Sequence, residues 1–484
     1  MKARIHFINR TFVILIFVPV LCAIAVNDEQ VKNKYNENDP RLSFISDIPG
    51  HPDNIILSRP TDHSITVSVM SATDRFVRVL YGQTKNDLTE RSEEYKLVAG
   101  EPTEILISNL KPHTFYCYRI VDSKIQKPFL PINGNGIFHT QRVRGESFTF
   151  TVQADSHLDG YCLPELYKTT LNNVLNSKPD FHIDLGDTFM TGKISQRQVA
   201  AKQYLAQRYW FGTIGHSVPI FLVLGNHDGE ETKKRSSSHA NGLAVWSCLK
   251  RKRYFPNPVP DDFYSGNTEK KQQVGYLQNY YSWEWADALF IVLDPYWYSS
   301  STRGGRSPWN MTIGKTQYDW LSKTLRNSKA RYKFVFIHQL VGGLDEAGRG
   351  GAEAANLFEW GGSEKTGGQT FSTNRLGWEK PIHALLKENG VDIVFHGHDH
   401  FFAYQELDEI IYQLVPQPAH RNYRNHHAKE YGYIKGDFLP NSGHIQVKVS
   451  QQEIEISYIR SAIEPMQKRG IKNGETIFKY SRNP

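Results

Sequence analysis

Between about Asp53 and Arg142, apolar and polar residues alternate over short stretches such as Ser64-Ile65-Thr66-Val67-Ser68-Val69 and Val77-Arg78-Val79-Leu80-Tyr81, with turn-rich sequence between them. A period of two over segments this short predicts an all-β sandwich. After Arg144 the texture changes. Apolar runs at Phe148 to Val152, Phe181 to Leu185, Ile220 to Leu224, Leu289 to Leu293, Phe334 to Ile337 and Ile393 to Phe395 read as buried strands. Between them, stretches such as Leu163 to Asn176, Thr316 to Asn327 and Trp378 to Glu388 carry a helical period, and the alternation of strand with helix predicts an α/β layered core. Two-residue periodicity returns in His444 to Val449 and Ile454 to Tyr458, which reads as a closing β-hairpin.

The expected organisation is therefore a sandwich over 51–142, an α/β domain over 147–460 and a basic, polar, loosely held tail over 461–484. Residues 26–50 lack hydrophobic periodicity and read as a linker. A length of 484 residues is beyond what one core usually fills, in keeping with two domains. The first 25 residues carry Lys2, Arg4 and Arg10, then an apolar run from Thr11 to Ala25 ending in Ala23-Ile24-Ala25. This is the pattern of a cleavable export signal, and the run falls short of the roughly 20 residues a spanning helix needs. The bulky Leu21 before Cys22 speaks against a lipid anchor there. The expectation is an exported protein, periplasmic or extracellular, with no membrane span after cleavage.

Cleavage after Ala25 leaves Cys117, Cys162 and Cys248, an odd number compatible with one bridge plus a free thiol or with three buried thiols. With 39% hydrophobic and 22% charged residues, the composition is that of a globular protein. The formal charge of +7 is scattered along the chain, and no nucleic-acid-binding motif accompanies it. The sequence leaves the oligomeric state open.

The most informative regularity is chemical. Five apolar runs end in a possible metal ligand: Asp155-Ser156-His157, Gly186-Asp187, Gly225-Asn226-His227-Asp228, His338, and Gly397-His398-Asp399-His400. In open α/β sheets, ligands bind beyond the carboxyl ends of the strands, so these side chains are expected to converge on one crevice. A mixture of carboxylate, amide and imidazole suits divalent or trivalent metals. There is no H-E-x-x-H helix motif and no G-x-S-x-G elbow to suggest another hydrolase.

The order D-x-H, G-D, G-N-H-D, H and G-H-x-H resembles that of the calcineurin-like metallophosphoesterases, over roughly Phe148 to Arg460. The resemblance implies a two-sheet α/β-sandwich core hydrolysing phosphate esters with two metal ions, iron, zinc or manganese. It implies one metal on Asp155, His157, Asp187 and His400, and a second on Asp187, Asn226, His338 and His398, with Asp187 bridging. A hydroxide held between the metals is expected to attack phosphorus. His227 is expected to act as the acid, with Asp228 orienting its ring. Asn109 to Arg119 resembles the strand of a fibronectin type III-like sandwich that carries a tyrosine corner, with Tyr116 or Tyr118 as the corner residue.

A sandwich ahead of such a core is similar to purple acid phosphatases and their bacterial relatives, with two departures. His157 stands where those enzymes have Gly, and Met190 where they have the iron-binding Tyr. The extra imidazole and absent phenolate favour a divalent pair. Two loops invite a substrate role: the glycine-rich Gly342 to Gly351, with Arg349, and Pro418 to His427, with Arg421, Tyr423, His426 and His427. Phosphomonoesters are placed ahead of phosphodiesters as substrates. The competing reading from another class is an exported binding or adhesion protein whose metal domain is structural.

Overall fold

The computed structural model describes residues 43–45, 48, 53–130, 135–194, 196–232, 242–300 and 307–483. The expected signal and most of the expected linker lie outside the described residues. Within the linker, Ile45 donates its N–H to Leu158 O (2.7 Å) and Phe44 bridges Asp159. Among the described residues, no helix is long and apolar enough to cross a membrane.

The predicted alternation at the N-terminal end forms a β-sandwich. One sheet holds Asn54–Ser58, Ile65–Met70 and Thr103–Ile107, and the other is built around Arg75–Gly82 and Phe115–Asp122. Inward residues such as Val67, Val79, Ile105 and Ile120 form its core. Of the two corner candidates, Tyr116 takes the part, its Oη accepting the N–H of Lys111, five residues upstream, at 2.9 Å. Tyr118 points elsewhere and donates to His216 O at the end of the helix Arg197–Gly215 (2.8 Å).

That helix joins the sandwich to the rest. The strand Asn54–Ser58 is buried at all five positions, because Ile55 and Leu57 face the sandwich core while Ile56 packs with Phe211 and Ile214 of the helix. Arg208, fully buried, donates to Ser68 O (2.9 Å) and Ser68 Oγ (3.2 Å). Residues 40–484 accordingly form one compact unit.

The remainder is a two-sheet α/β sandwich. One sheet runs Ile220–Leu222, Phe181–Asp184, Phe148–Gln153, Gly443–Val449, Ile454–Arg460, Thr476–Arg482, its first three strands parallel. The other places Ala288–Val292, Tyr332–Phe336, Ile393–His396 and Ile410–Leu414 side by side in parallel, with antiparallel strands at both edges. Alternate residues meet between the sheets, where Phe150 touches Phe290 edge-on at 5.1 Å and Phe336 stacks on Phe395 at 5.0 Å. Each such phenylalanine, fully buried, contributes about 1.5–3 kcal/mol. The opposite faces carry helices: Pro164–Asn176 and Arg197–Gly215 on one sheet, Lys315–Asn327 and Ile382–Glu388 on the other.

Two boundaries differ from expectation. The last predicted helix begins at Ile382 rather than Trp378, because a residue preceding proline, here Lys380, is pushed out of the helical region. The tail is not loose. Thr476–Arg482 pairs with Ile454–Arg460 as the sixth strand, and Phe478 and Tyr480 pack on the core. Its flanking lysines and arginines mask an alternation that one edge face can bury.

Candidate metal centre

Asp155 follows the strand Phe148–Gln153, Asp187 follows Phe181–Asp184, Asn226 follows Ile220–Leu222, His338 follows Tyr332–Phe336, and His398 and His400 follow Ile393–His396. All lie beyond carboxyl ends, and the two facing sheets deliver them to one place. Two groups result, Asp155 with His157 and His400, and Asp187 with His338 and His398, each with its ligand atoms within 4.8 Å of one another.

The turns are tight. Asp155, His157, Asp187, His398 and His400 have φ of 58°, 52°, 52°, 76° and 63°. A residue other than glycine held there costs on the order of 1–3 kcal/mol and persists only where its surroundings enforce it. Two glycines of the motifs make this possible. A Cβ on Gly225 would lie 2.0 Å from the Asp187 nitrogen, and one on Gly397 would lie 2.7 Å from Asp155 Oδ2. The glycines are there so that ligand-bearing turns can touch.

Both carboxylates are oriented the same way. Asp155 Oδ2 accepts the N–H of His398 (2.8 Å), and Asp187 Oδ1 accepts that of His227 (2.7 Å). The other oxygens face imidazoles. Asp155 Oδ1 is 3.4 Å from His400 Nε2 and 3.6 Å from His157 Nε2. Asp187 Oδ2 is 3.5 Å from His157 Nε2, 3.6 Å from His338 Nε2 and 3.8 Å from His227 Nε2. These separations are too long for good hydrogen bonds, and those to His400, His157 and His338 are near those of ligands each about 2.1 Å from a shared cation. Asp155 Oδ1 and His157 Nε2 are fully buried without a hydrogen-bond partner. Such groups are costly unless an ion satisfies them, and the donor set fits two cations.

The electrostatics agree. Burial works to raise the Asp155 and Asp187 carboxyls, but the neighbouring imidazoles outweigh it and hold both well below the usual range. His338 donates Nδ1–H to Leu185 O (2.8 Å), which leaves Nε2 facing Asn226 Oδ1 at 3.2 Å. Burial disfavours its charged form, yet Asp187 and Asp155 carry it up to about 9. His398 is pushed down to about 4, chiefly by burial. It donates Nε2–H to Ala347 O (2.8 Å), so Nδ1 is the atom left for a metal.

Several partners escape sequence reasoning. Asp159 holds His157 Nδ1 at 3.2 Å, and the spacing D-x-H-x-D is the only local sign of it. Gln203 Nε2 donates to His157 O (2.9 Å) and Asn441 Nδ2 to His400 O (2.6 Å), both from distant segments. Asp228, expected to orient the His227 ring, organises the turns that carry Asp187 and Asn226. Its carboxylate accepts from the N–H groups of Gly225 (2.6 Å), Phe189 (2.7 Å) and Asp187 (3.2 Å). Arg349 pairs with Asp345 in its own loop (3.1 Å) and lies 4.2 Å over the Tyr431 ring. Met190 is buried and donates its N–H to Gln203 Oε1 (2.7 Å). Cys117, Cys162 and Cys248 are buried free thiols.

The loop after His227 is anchored by a buried ion pair, Glu230 with Arg251 at 2.6 Å, each about 1% exposed. Arg251→Met should destabilise the protein by about 3–5 kcal/mol, because it strands a buried carboxylate. Urea unfolding checks this, and the double variant with Glu230→Gln should recover a large part of the loss.

No curated protein sequence matches the chain. Among solved structures, PhoD is similar with a TM-score of 0.60 at 13% identity, covering 90% of each chain. Purple acid phosphatase PPD1 from yellow lupin (Lupinus luteus) seeds is similar with a TM-score of 0.55 at 13% identity, covering 91% of this chain and 74% of that one. At such identities the likeness concerns the fold. Residues 148–402, more than half of the chain, match the model of the calcineurin-like phosphoesterases. That stretch begins at the strand before Asp155 and ends just past His400, so the matched sequence and the convergent Asp and His clusters are the same piece of structure: the chain belongs to the calcineurin-like phosphoesterase family and is a metal-dependent phosphoric ester hydrolase.

Proposed function

We propose that the protein is an exported phosphatase acting on phosphate monoesters, with Asp155, His157, Asp187 and His400 holding one cation, Asp187, Asn226, His338 and His398 a second, and His227 serving as acid. The observation that carries this reading is the position of Asp187 Oδ2, which faces His157 of one group and His338 of the other, with His227 beside it. When bound, two such cations polarise the phosphoryl oxygens and make a water nucleophilic near neutral pH.

The chain's own groups do the rest. The His227 side chain is 13% exposed, and its Nε2 lies 3.8 Å from Asp187 Oδ2. As acid, His227 passes a proton from Nε2 to the departing alkoxide oxygen. Asp228 keeps the Gly225 and Asp187 turns together, which fixes where His227 sits. Met190 offers no phenolate, which supports a divalent pair such as zinc, manganese or ferrous iron and a colourless protein. Export rests on the N-terminal sequence pattern.

The experiment is metal content by mass spectrometry beside hydrolysis of p-nitrophenyl phosphate and bis-p-nitrophenyl phosphate. Two metals per chain, turnover abolished by a chelator and restored by added zinc or manganese, and a preference for the monoester are expected. Preference for the diester would make the protein a phosphodiesterase. Less than one metal after reconstitution, with neither ester cleaved, would refute the catalytic reading in favour of a binding protein.

A further inference from the structure

We propose that Asp399, which separates the two histidines of Gly397-His398-Asp399-His400, is a positioning residue that fixes the His398 ring through the Gly342–Gly351 loop and ties a second loop to the same turn. This rests on His398 being a metal ligand, as in the reading above.

Asp399 is 2% exposed. Its Oδ2 accepts two hydrogen bonds, from Gly350 N–H at 2.9 Å and from Tyr433 Oη–H at 2.6 Å. The first leads back to the metal centre. Three residues before Gly350 lies Ala347, whose carbonyl accepts Nε2–H of His398. The segment between them is stiff, because Asp345 Oδ1 accepts the N–H groups of Ala347 (2.9 Å) and Arg349 (3.1 Å), and Asp345 O that of Gly348 (3.0 Å). A shift of Gly350 therefore carries the Ala347 carbonyl with it and turns the His398 ring.

The second bond reaches the stretch after Pro418. The Tyr433 ring packs edge-on against Phe401 at 4.9 Å. A Cβ on Gly432 and one on Gly350 would each come within 2.8 Å of the Leu344 side chain, so the two loops lie against one another. Arg349 closes the contact over Tyr431. The Gly342–Gly351 loop and residues 431–433 are thus one wall, and Asp399 is the buried acceptor that both share.

Partners that orient a ligating histidine typically change metal affinity 10- to 100-fold when removed. Zinc titrations of the full chain test the assignment. In Asp399→Ala, one of the two zinc affinities should fall by about tenfold or more while the other is unchanged. Asp399→Asn, which keeps an oxygen for both donors, should retain both. Tyr433→Phe leaves the ring packed and the Gly350 bond intact; it should keep both affinities and speed amide hydrogen exchange in residues 428–433.

Unchanged zinc binding in Asp399→Ala, equal weakening of both sites, or an Asn variant as impaired as the Ala variant would overturn the proposal. Should Asp399→Ala fail to fold, the other two variants decide: loss of either zinc in Asp399→Asn or in Tyr433→Phe refutes it, and retention with faster exchange only in Tyr433→Phe supports it. Zinc binding is read without turnover. A chain with two tight sites and no phosphatase activity would sink the phosphatase reading and still settle the role of Asp399.

Discussion

Asp187→Asn should emerge from dialysis with less than one metal per chain and with p-nitrophenyl phosphate turnover reduced by more than about 1,000-fold. The substitution preserves shape and removes one negative charge at the oxygen that lies 3.5 Å from His157 Nε2 and 3.6 Å from His338 Nε2. Two cations close together repel, and a shared carboxylate offsets that repulsion in a way a neutral amide does not. Asp187 Oδ1 also accepts the N–H of His227, an acceptor an amide oxygen can replace, so the fold should survive. Mass spectrometry of the dialysed variant and its thermal melt separate metal loss from unfolding. A variant with two metals and wild-type turnover would show that Asp187 does not bridge.

His227→Ala should behave in the opposite way towards metal. Its ring lies 3.8 Å from Asp187 Oδ2 and edge-on to the His157 ring at 6.1 Å, and it forms part of neither three-residue group. Two metals per chain should remain. Turnover of an alkyl phosphate, whose alkoxide leaves only with a proton, should fall by roughly 100-fold or more. Turnover of p-nitrophenyl phosphate, whose leaving phenolate is already stable, should fall far less. Equal losses on both esters would assign His227 to charge stabilisation alone, and unchanged rates would make it structural.

Much of this centre is legible in the amino-acid sequence. Apolar runs of three to five residues ending in Asp, Asn or His mark strands whose carboxyl ends carry chemistry, and their order along the chain is specific. The residues that hold those ligands are not legible in the same way. Asp228 stands beside His227 in sequence, yet its carboxylate takes the N–H groups of Gly225, Phe189 and Asp187. Leu185 O and Ala347 O orient His338 and His398 through backbone atoms, which no side-chain pattern records.

What the sequence determined alone is therefore the set of buried faces and the list of donors, because hydrophobic periodicity reports local burial and residue type reports chemistry. The tertiary structure decided where each donor points. The left-handed backbone at Asp155, His157, Asp187, His398 and His400, the glycine contacts that permit it, the choice of Tyr116 over Tyr118 as the corner, and the capture of Thr476–Arg482 as a sheet edge all depend on neighbours far away in the chain. Those neighbours meet only when the two sheets close on one another, and a one-dimensional pattern carries no record of that meeting.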